Sequence, residues 1–568
     1  MATSHFLKKL PLNIPPYESA PDVAISDLSS QLWNGFIYPI KGEGKYVTMN
    51  RPGLLSTPFC DLNVNYTIDG LFWWPAKQRV LATCNGTIYS IDQNGVPTTI
   101  TGSITIGRTK FAQCGVQGVD CVMASGGPLV YTDGVDAMTI APADTTADTG
   151  SLATVAIRVA GINYVVGDIL TVTTGSGGTI KVASVSTGGV VTSLIIVTPG
   201  TGYLSATGVT TGGGSGTGLK VDIEPNFGAP TKATSVGFMD SRIICNEVGT
   251  AWFKWSDPLS ITSWNGLNLA GMEAKGDTLQ VVDTSIDEIL LVGKFSTEHY
   301  YNDGVNPFSK YEGMTIDRGT IAPYSFIFTA NTYWWLDQDR NFIKLKGYTW
   351  APISSPYASV IQKLTRVDDC FALPIRADGQ NFIVWNFPTD KFSLVYDVEN
   401  EGWQGRWGVW DTATADWDLW YPNAYCQCPE WGLHLVGDRR TGKIYKISRD
   451  YMYDADTPLR MVKRTGWRDH GNKRMKRSDR ITITVQRGTT SETDVDNEPR
   501  FTVKSRDDGV QDWQPEREGM LGLQGDTESM VQFVQNGIFR SRQDEYSFSD
   551  NVPVVLVDGE EEGEILAR

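Results

Sequence analysis

From about residue 60 onward, short apolar runs alternate with polar turns, and no long stretch keeps the 3.6-residue period of an amphipathic helix. A loose unit recurs: an apolar strand, a Gly or Asn/Asp turn, then an aromatic-rich strand ending in Asp or Trp. It is carried by Arg79–Asp92, Asp120–Gly134, Ser241–Asp257, Glu288–Gly304, Tyr324–Leu345, Asn381–Asp397 and Trp431–Ser448. Each reads as a hairpin by alternation and turn chemistry. Successive turns fall roughly 40–60 residues apart once one insertion is removed, within or just above the range for four-stranded propeller blades. The expected fold is mainly β, with a β-propeller core of about six to eight blades built discontinuously from 56–150 and 226–450. A stacked pair of β-sandwiches is the alternative.

Three segments depart from the unit. Residues 1–55 read as an extended N-terminal arm, because Pro11, Pro15, Pro16 and Pro21 break helices and the arm ends in the turn Arg51-Pro52-Gly53-Leu54. Residues 151–225 form a Gly- and Thr-rich insertion with its own repeat. Tyr164 and Tyr203 stand in matching places, and each half has a Gly-rich turn, at Gly175 and at Gly212, followed by a strand. That pattern predicts a small inserted β domain, either a spacer or a module that binds a partner or glycan. Residues 451–568 read as a basic connector and a terminal β domain with an acidic tail. Arg460, Lys463, Arg464, Arg468, Lys473, Arg474, Lys476, Arg477 and Arg480 make the connector basic. It is either a belt facing DNA or an acidic partner, or a loop balancing acidic neighbours. The tail from Asp558 to Glu564 is expected to be mobile.

Composition narrows the class. A chain of 568 residues exceeds one ordinary core, and 58 Gly with 27 Pro suit many short strands. The net charge of −16 makes a general nucleic-acid binder unexpected, since such affinity rests on Lys and Arg neutralising phosphates. Eight scattered Cys predict reduced thiols and folding in a cytosol. Neither a secretory leader nor a membrane span is predicted.

The search for chemistry predicts no catalytic, cofactor-binding or metal-binding residues, and no cofactor. His5, His299, His434 and His470 are too scattered to pair as ligands, and Cys426-x-Cys428 lacks a second pair at zinc spacing. The segment Gly437–Lys443 matches the start of a phosphate loop, but Ile444 replaces the required Ser/Thr and a strand follows. The Gly-rich run 212–218 also lacks a following helix. Ser505–Trp513 approaches a sialidase-type Asp-box turn and reads as a hairpin turn. With 65 acidic residues, a facing carboxylate pair of the glycosidase kind is left open.

Several segments together resemble the tail nozzle, or tail hub, proteins of short-tailed phages, also called packaged-DNA stabilisation proteins. They are the arm running into Arg51–Leu54, Trp255–Gly266, Ile289–Gly304, Arg318–Asp337, Phe392–Trp407 and Arg500–Trp513. The resemblance spans about residues 30–150 and 230–557 and rests on the order of segments. It implies a non-enzymatic virion protein of the tail, assembled in the host cytoplasm as a homohexameric ring. The implied partners are the portal and head–tail adaptor ring, tail fibres, spikes or a needle, and the double-stranded genome passing through the lumen. Two other readings remain: a receptor- or glycan-binding virion protein, and a propeller glycan hydrolase.

Overall fold

The computed structural model describes residues 4–13, 30–40, 45–114, 120–140, 150–226, 228–273, 275–304, 307–377, 379–488, 499–522 and 528–566. Within them, six four-stranded sheets run in simple up-and-down order, and a seventh is composite. We number them blades 1 to 7. Their first strands are Ile68–Trp74, Lys110–Cys114, Val236–Met239, Leu279–Ile286, Ile327–Thr329, Phe371–Ala377 and Pro422–Cys428. The first strands of successive blades meet around a ring, except between blades 4 and 5, and that of blade 7 meets that of blade 1. Blades 4 and 5 join through Val281, Leu290 and Val292 packed on Phe326, Tyr333 and Trp335. The molecule is a seven-bladed β-propeller, and each of the seven hairpins read from sequence lies in a different blade.

Local chemistry sets the hairpins. Asn85-Gly86, Asp240-Ser241 and Ala330-Asn331 have positive φ at both turn residues, the two-residue geometry whose twist matches paired strands. Each blade then hides its faces against its neighbours, so the core divides into clusters between blades. The seam between blades 5 and 6 is aromatic, with Phe342 stacked on Trp385 at 4.2 Å. The ring closes by mixing chain ends. Gly53–Leu54 and Cys60–Asp61, which precede blade 1, pair with the third strand of blade 7, Lys443–Ser448.

The insertion is a six-stranded, nearly closed barrel between blades 2 and 3. Its strands, Ser151–Ile162, Ile169–Val172, Thr179–Ser186, Val190–Thr198, Ala206–Gly212 and Thr217–Asn226, fall into two equivalent halves of three. The repeated tyrosines are buried and exchanged. Tyr203 packs over Gly175 and Gly178 of the first half, accepting the Gly178 N–H at 2.9 Å, while Tyr164 packs over Gly216 of the second. A Cβ at Gly178 or Gly216 would overlap the tyrosine ring.

The N- and C-terminal segments build one β-sandwich. One sheet holds Ser4–Lys9, Gly35–Ile40, Lys45–Asn50, Val554–Ile565, Lys476–Arg487 and Glu528–Val534; the facing sheet holds Gln31–Trp33, Met461–Arg464, Arg542–Phe548, Arg500–Asp507 and Arg517–Met520. Ile481, Ile483 and Val485 meet Phe501, Val503 and Tyr546 between them. Two expectations change. The described part of the N-terminal arm is strand in these sheets, whereas Pro15, Pro16 and Pro21 lie outside the described residues. The acidic tail is not mobile. It ends the central strand Val554–Ile565, flanked by Lys476–Arg487 on one side and Ser4–Lys9 on the other. Charge alone suggested a free tail, but Lys9, Arg477 and Arg480 supply counter-charges to Asp558, Glu564 and Glu562. Among the described residues no helix is long and apolar enough to cross a membrane.

Arg51 fastens the sandwich to the propeller. Its buried guanidinium donates to Asn34 Oδ1 at 2.8 Å, to the Pro52 carbonyl at 2.8 Å and to the Gly408 carbonyl at 3.2 Å. It also grips both Asp454 oxygens, at 3.0 and 2.5 Å, and lies over Trp420, whose indole N–H donates to the same carboxylate. Removing one partner strands a buried charge. Arg51→Ala or Asp454→Ala should each lose about 3–5 kcal/mol of stability in urea unfolding, and Arg51→Met with Asp454→Leu should lose less. Equal losses in the single and double variants would contradict this account.

Candidate functional site

The propeller axis is the first place to look for a channel or ligand site. Strand alternation sends Arg108 and Lys110 the same way, toward the axis, with Thr109 turned into the blade, where it hydrogen-bonds Thr83. Arg108 crosses the opening. Its Nη1 and Nη2 donate to the Asn423 carbonyl and side-chain oxygen, both at 2.6 Å, and its guanidinium lies 3.9 Å over Phe371 and 5.7 Å from Tyr324. Asn423 is presented by an irregularity in its strand between Pro422 and Ala424, and its amide donates onward to the Ile68 carbonyl. Arg108 thus links the start of blade 2 to blades 5, 6 and 7, and Asn423 carries the link on to blade 1. What remains on the axis is a cavity of about 250 Å³. Burial pushes Arg108 down to about 10, partly offset by Tyr324 and Asp69, so it stays charged at neutral pH.

The basic run 449–480 is absorbed by acidic neighbours. Arg464 meets Glu545 at 2.6 Å, Lys473 meets Asp469 at 2.9 Å, and Arg460 lies over Trp410. Lys463 is fully buried, which pushes it down to about 7. Arg468 sits between two buried carboxylates, Asp544 and Glu561, at 2.8 Å from the latter. His470 reaches Glu561 at 3.0 Å, and Tyr546 donates to Asp544 at 3.2 Å. Burial pushes the Glu561 carboxyl up, but Arg468, His470 and Ser478 outweigh it and hold it well below the ordinary range. Here two buried carboxylates do converge on a guanidinium, which suits cohesion, and Arg468 and His470 also line a cavity of about 760 Å³ together with Lys8, Lys9 and Lys45. Lys473, Arg474, Arg477 and Arg480 of the run remain exposed.

The other motifs resolve into turns and packing. In Gly437–Lys443, Asp438 accepts the Arg440 N–H at 2.7 Å and the Thr441 hydroxyl at 3.1 Å, capping a hairpin. Trp513, at the end of the Asp-box-like turn, is stacked among Arg464, Lys504 and Arg506. Cys426 and Cys428 are buried with Sγ atoms 3.9 Å apart, and burial pushes Cys60 and Cys114 up to about 12, leaving them protonated. His299 and His434 meet Glu288 and Tyr425. Among the described residues no group of three or more His, Cys, Asp and Glu could hold a metal. Sequence reading missed Arg108 and Lys110. Their signal is two cations flanking one threonine at the start of a strand that must face the axis.

The model of the family described as "Bacteriophage P22 Gp10, beta-propeller" matches residues 117–452, from blade 2 through blade 7. No curated protein matches the chain. Among solved structures, the chain is similar to dihydro-heme d1 dehydrogenase NirN in complex with DHE. The identity is 8% and the TM-score 0.29, over 63% of this chain and 57% of that one. It is also similar to Hsv2 of Kluyveromyces lactis, at 9% identity and a TM-score of 0.24, over 60% and 97% of the two chains. A third likeness is to the exo-β-1,3-galactanase of Phanerochaete chrysosporium with galactose, at 9% identity and a TM-score of 0.22, over 58% and 95%.

The Glu561 site predicts a pH dependence. Its carboxyl titrates lower folded than unfolded, so its contribution is complete above the unfolded value of about 4.3 and is lost as pH falls through the folded one. Glu561→Gln should cost about 3–5 kcal/mol at pH 7 and flatten the decline of stability below about pH 4. Urea unfolding across pH 2–7 measures both, and parallel curves for the two proteins would refute the assignment.

Proposed function

The chain belongs to the family of Bacteriophage P22 Gp10, beta-propeller, structural proteins of the phage tail nozzle that stabilise packaged DNA, and from that premise we propose that it acts as a ring subunit. Copies of the chain, six in the expected assembly, surround a lumen that continues the genome channel below the portal and adaptor. The outer surface of the ring anchors fibres, spikes or a needle. The protein works by geometry and makes or breaks no bond.

The observation that carries this reading is the family match across six of the seven blades. The axial geometry agrees with it. A cavity of about 250 Å³ crossed by Arg108 cannot admit a duplex, whose major groove alone is ~12 Å wide. The lumen must then lie between copies. A net charge of −16 suits a wall that phosphates pass without adhering. The sealed ring of blades gives each copy a rigid wedge without a long open sheet edge, the requirement for side-by-side tiling.

Electron microscopy of the purified protein or virion should show a six-fold ring with a central hole of duplex width, and a stable monomer in both settings would sink the proposal. The barrel offers a second check. Ser151 and Asn226 are backbone partners, so it leaves and rejoins the propeller at adjacent points. Replacing residues 151–226 with a short Gly-Ser linker should leave particles that still retain DNA. If such particles assemble normally but fail to adsorb to cells, the barrel is a receptor- or glycan-binding module.

A further inference from the structure

The axial cavity carries chemistry that the nozzle role does not use. Arg108, just before the strand Lys110–Cys114, and Lys110, its first residue, both line it, and Lys110 feels two opposed charges, Asp283 favouring its ammonium and Arg108 disfavouring it. Both are deep in the ring, yet both keep surface open to the cavity. Arg108 is fixed by Asn423 and Phe371 and has no carboxylate within ion-pair distance among the described residues. Among the described residues Lys110 donates no hydrogen bond and makes no ion pair within 4 Å, Asp283 acting on it only at longer range. The nearby carboxylates are engaged elsewhere. Asp69 accepts the Asn85 N–H at 3.0 Å and Asp283 accepts the Ser285 N–H at 2.8 Å. Burial pushes both upward, toward the neutral form. Two cations thus face a partly open space, with the Tyr324 hydroxyl among the groups that line it. At about 30 Å³ per water, the 250 Å³ cavity holds a few waters or one small hydrated anion.

We propose that the propeller axis is a binding site for one tetrahedral oxyanion of phosphate type, held between Lys110 and the outer edge of the Arg108 guanidinium. An anion there removes the repulsion between two like charges and satisfies an ammonium that the protein leaves unbonded. The site is independent of the ring assembly and would exist in a single copy.

The full-length protein is tested with inorganic phosphate at constant ionic strength, with chloride as the control anion and Lys110→Met as the variant. Lys110 makes no hydrogen bond whose loss would disturb folding. Millimolar phosphate should raise the unfolding temperature by roughly 2–4 °C at saturation. The shift should vanish in Lys110→Met and return in Lys110→Arg, and phosphorus NMR should show line broadening of phosphate with the wild-type protein and the Arg variant only. A shift of equal size in Lys110→Met, or no shift in the wild type, overturns the proposal. A blunt duplex oligonucleotide forms a separate arm. It should give no shift that depends on Lys110, and a Lys110-dependent shift with the duplex but not with free phosphate would overturn the small-anion site.

Discussion

The buried Arg51–Asp454 pair is the constraint on which the arrangement depends. It lies where three stretches of chain meet: the end of the N-terminal strands, the hairpin leaving blade 6, and the first turn beyond blade 7. All five guanidinium N–H groups are matched, two to one carboxylate, one to Asn34 and two to backbone carbonyls. Asn34, with φ of 55°, accepts from the Gly408 N–H and donates to the Arg460 carbonyl, so the same knot also ties the sandwich strand. A buried charge is costly unless it is paired and hydrogen-bonded, and Arg51 meets that demand at every donor. The knot therefore admits one relative placement of its three segments. From that placement follow the pairing of Gly53–Leu54 on blade 7, the closure of the ring and the seat of the sandwich.

The sandwich repeats the solution with opposite roles. Around Arg51 one carboxylate serves a cation whose remaining donors go to Asn34 and two backbone carbonyls, whereas around Arg468 two carboxylates share one cation. The basic run and the acidic tail are partners across a sheet, Arg480 facing Glu562 and Arg477 facing Glu564 in register. Most of the chain's positive patch is thereby neutralised internally. Solvent-exposed pairs such as Arg480–Glu562 contribute little each, but they match the register of a strand whose outward residues from Asp558 onward are largely acidic.

The legible part of the fold was local. Two-residue turns and alternating strands announce themselves within a few residues, which is why seven hairpins could be found and why each belongs to one blade. The halves of the barrel were visible through Tyr164 and Tyr203 for the same reason. Features made by distant residues were not legible. The closing strands Gly53–Leu54 and Cys60–Asp61 are too short to carry a pattern, and Arg51 finds Asp454 some 403 residues away. The acidic tail misled because its charge hid an alternation: Glu561 is buried while Glu560 faces outward. Arg108 and Lys110 gave no motif, since their meaning comes from standing on an innermost strand.

Arginine recurs at these junctions for a physical reason. A planar fork can bond several acceptors from different segments while its face stacks on an aromatic ring, as Arg51 does on Trp420 and Arg108 on Phe371. A lysine offers a point charge with no face, and it loses its proton more readily when buried. The contrast is visible within the molecule, where burial takes Lys463 down to about 7 but leaves Arg108 near 10. A ring of blades touching only their neighbours is stiff in its plane and weak against opening at one seam. Cross-links over the axis and across the closing seam resist that opening, and each requires a cation that keeps its charge in the interior. Arg108 supplies such a link over the axis, and Arg51 supplies one where the N-terminal strands meet the end of the propeller.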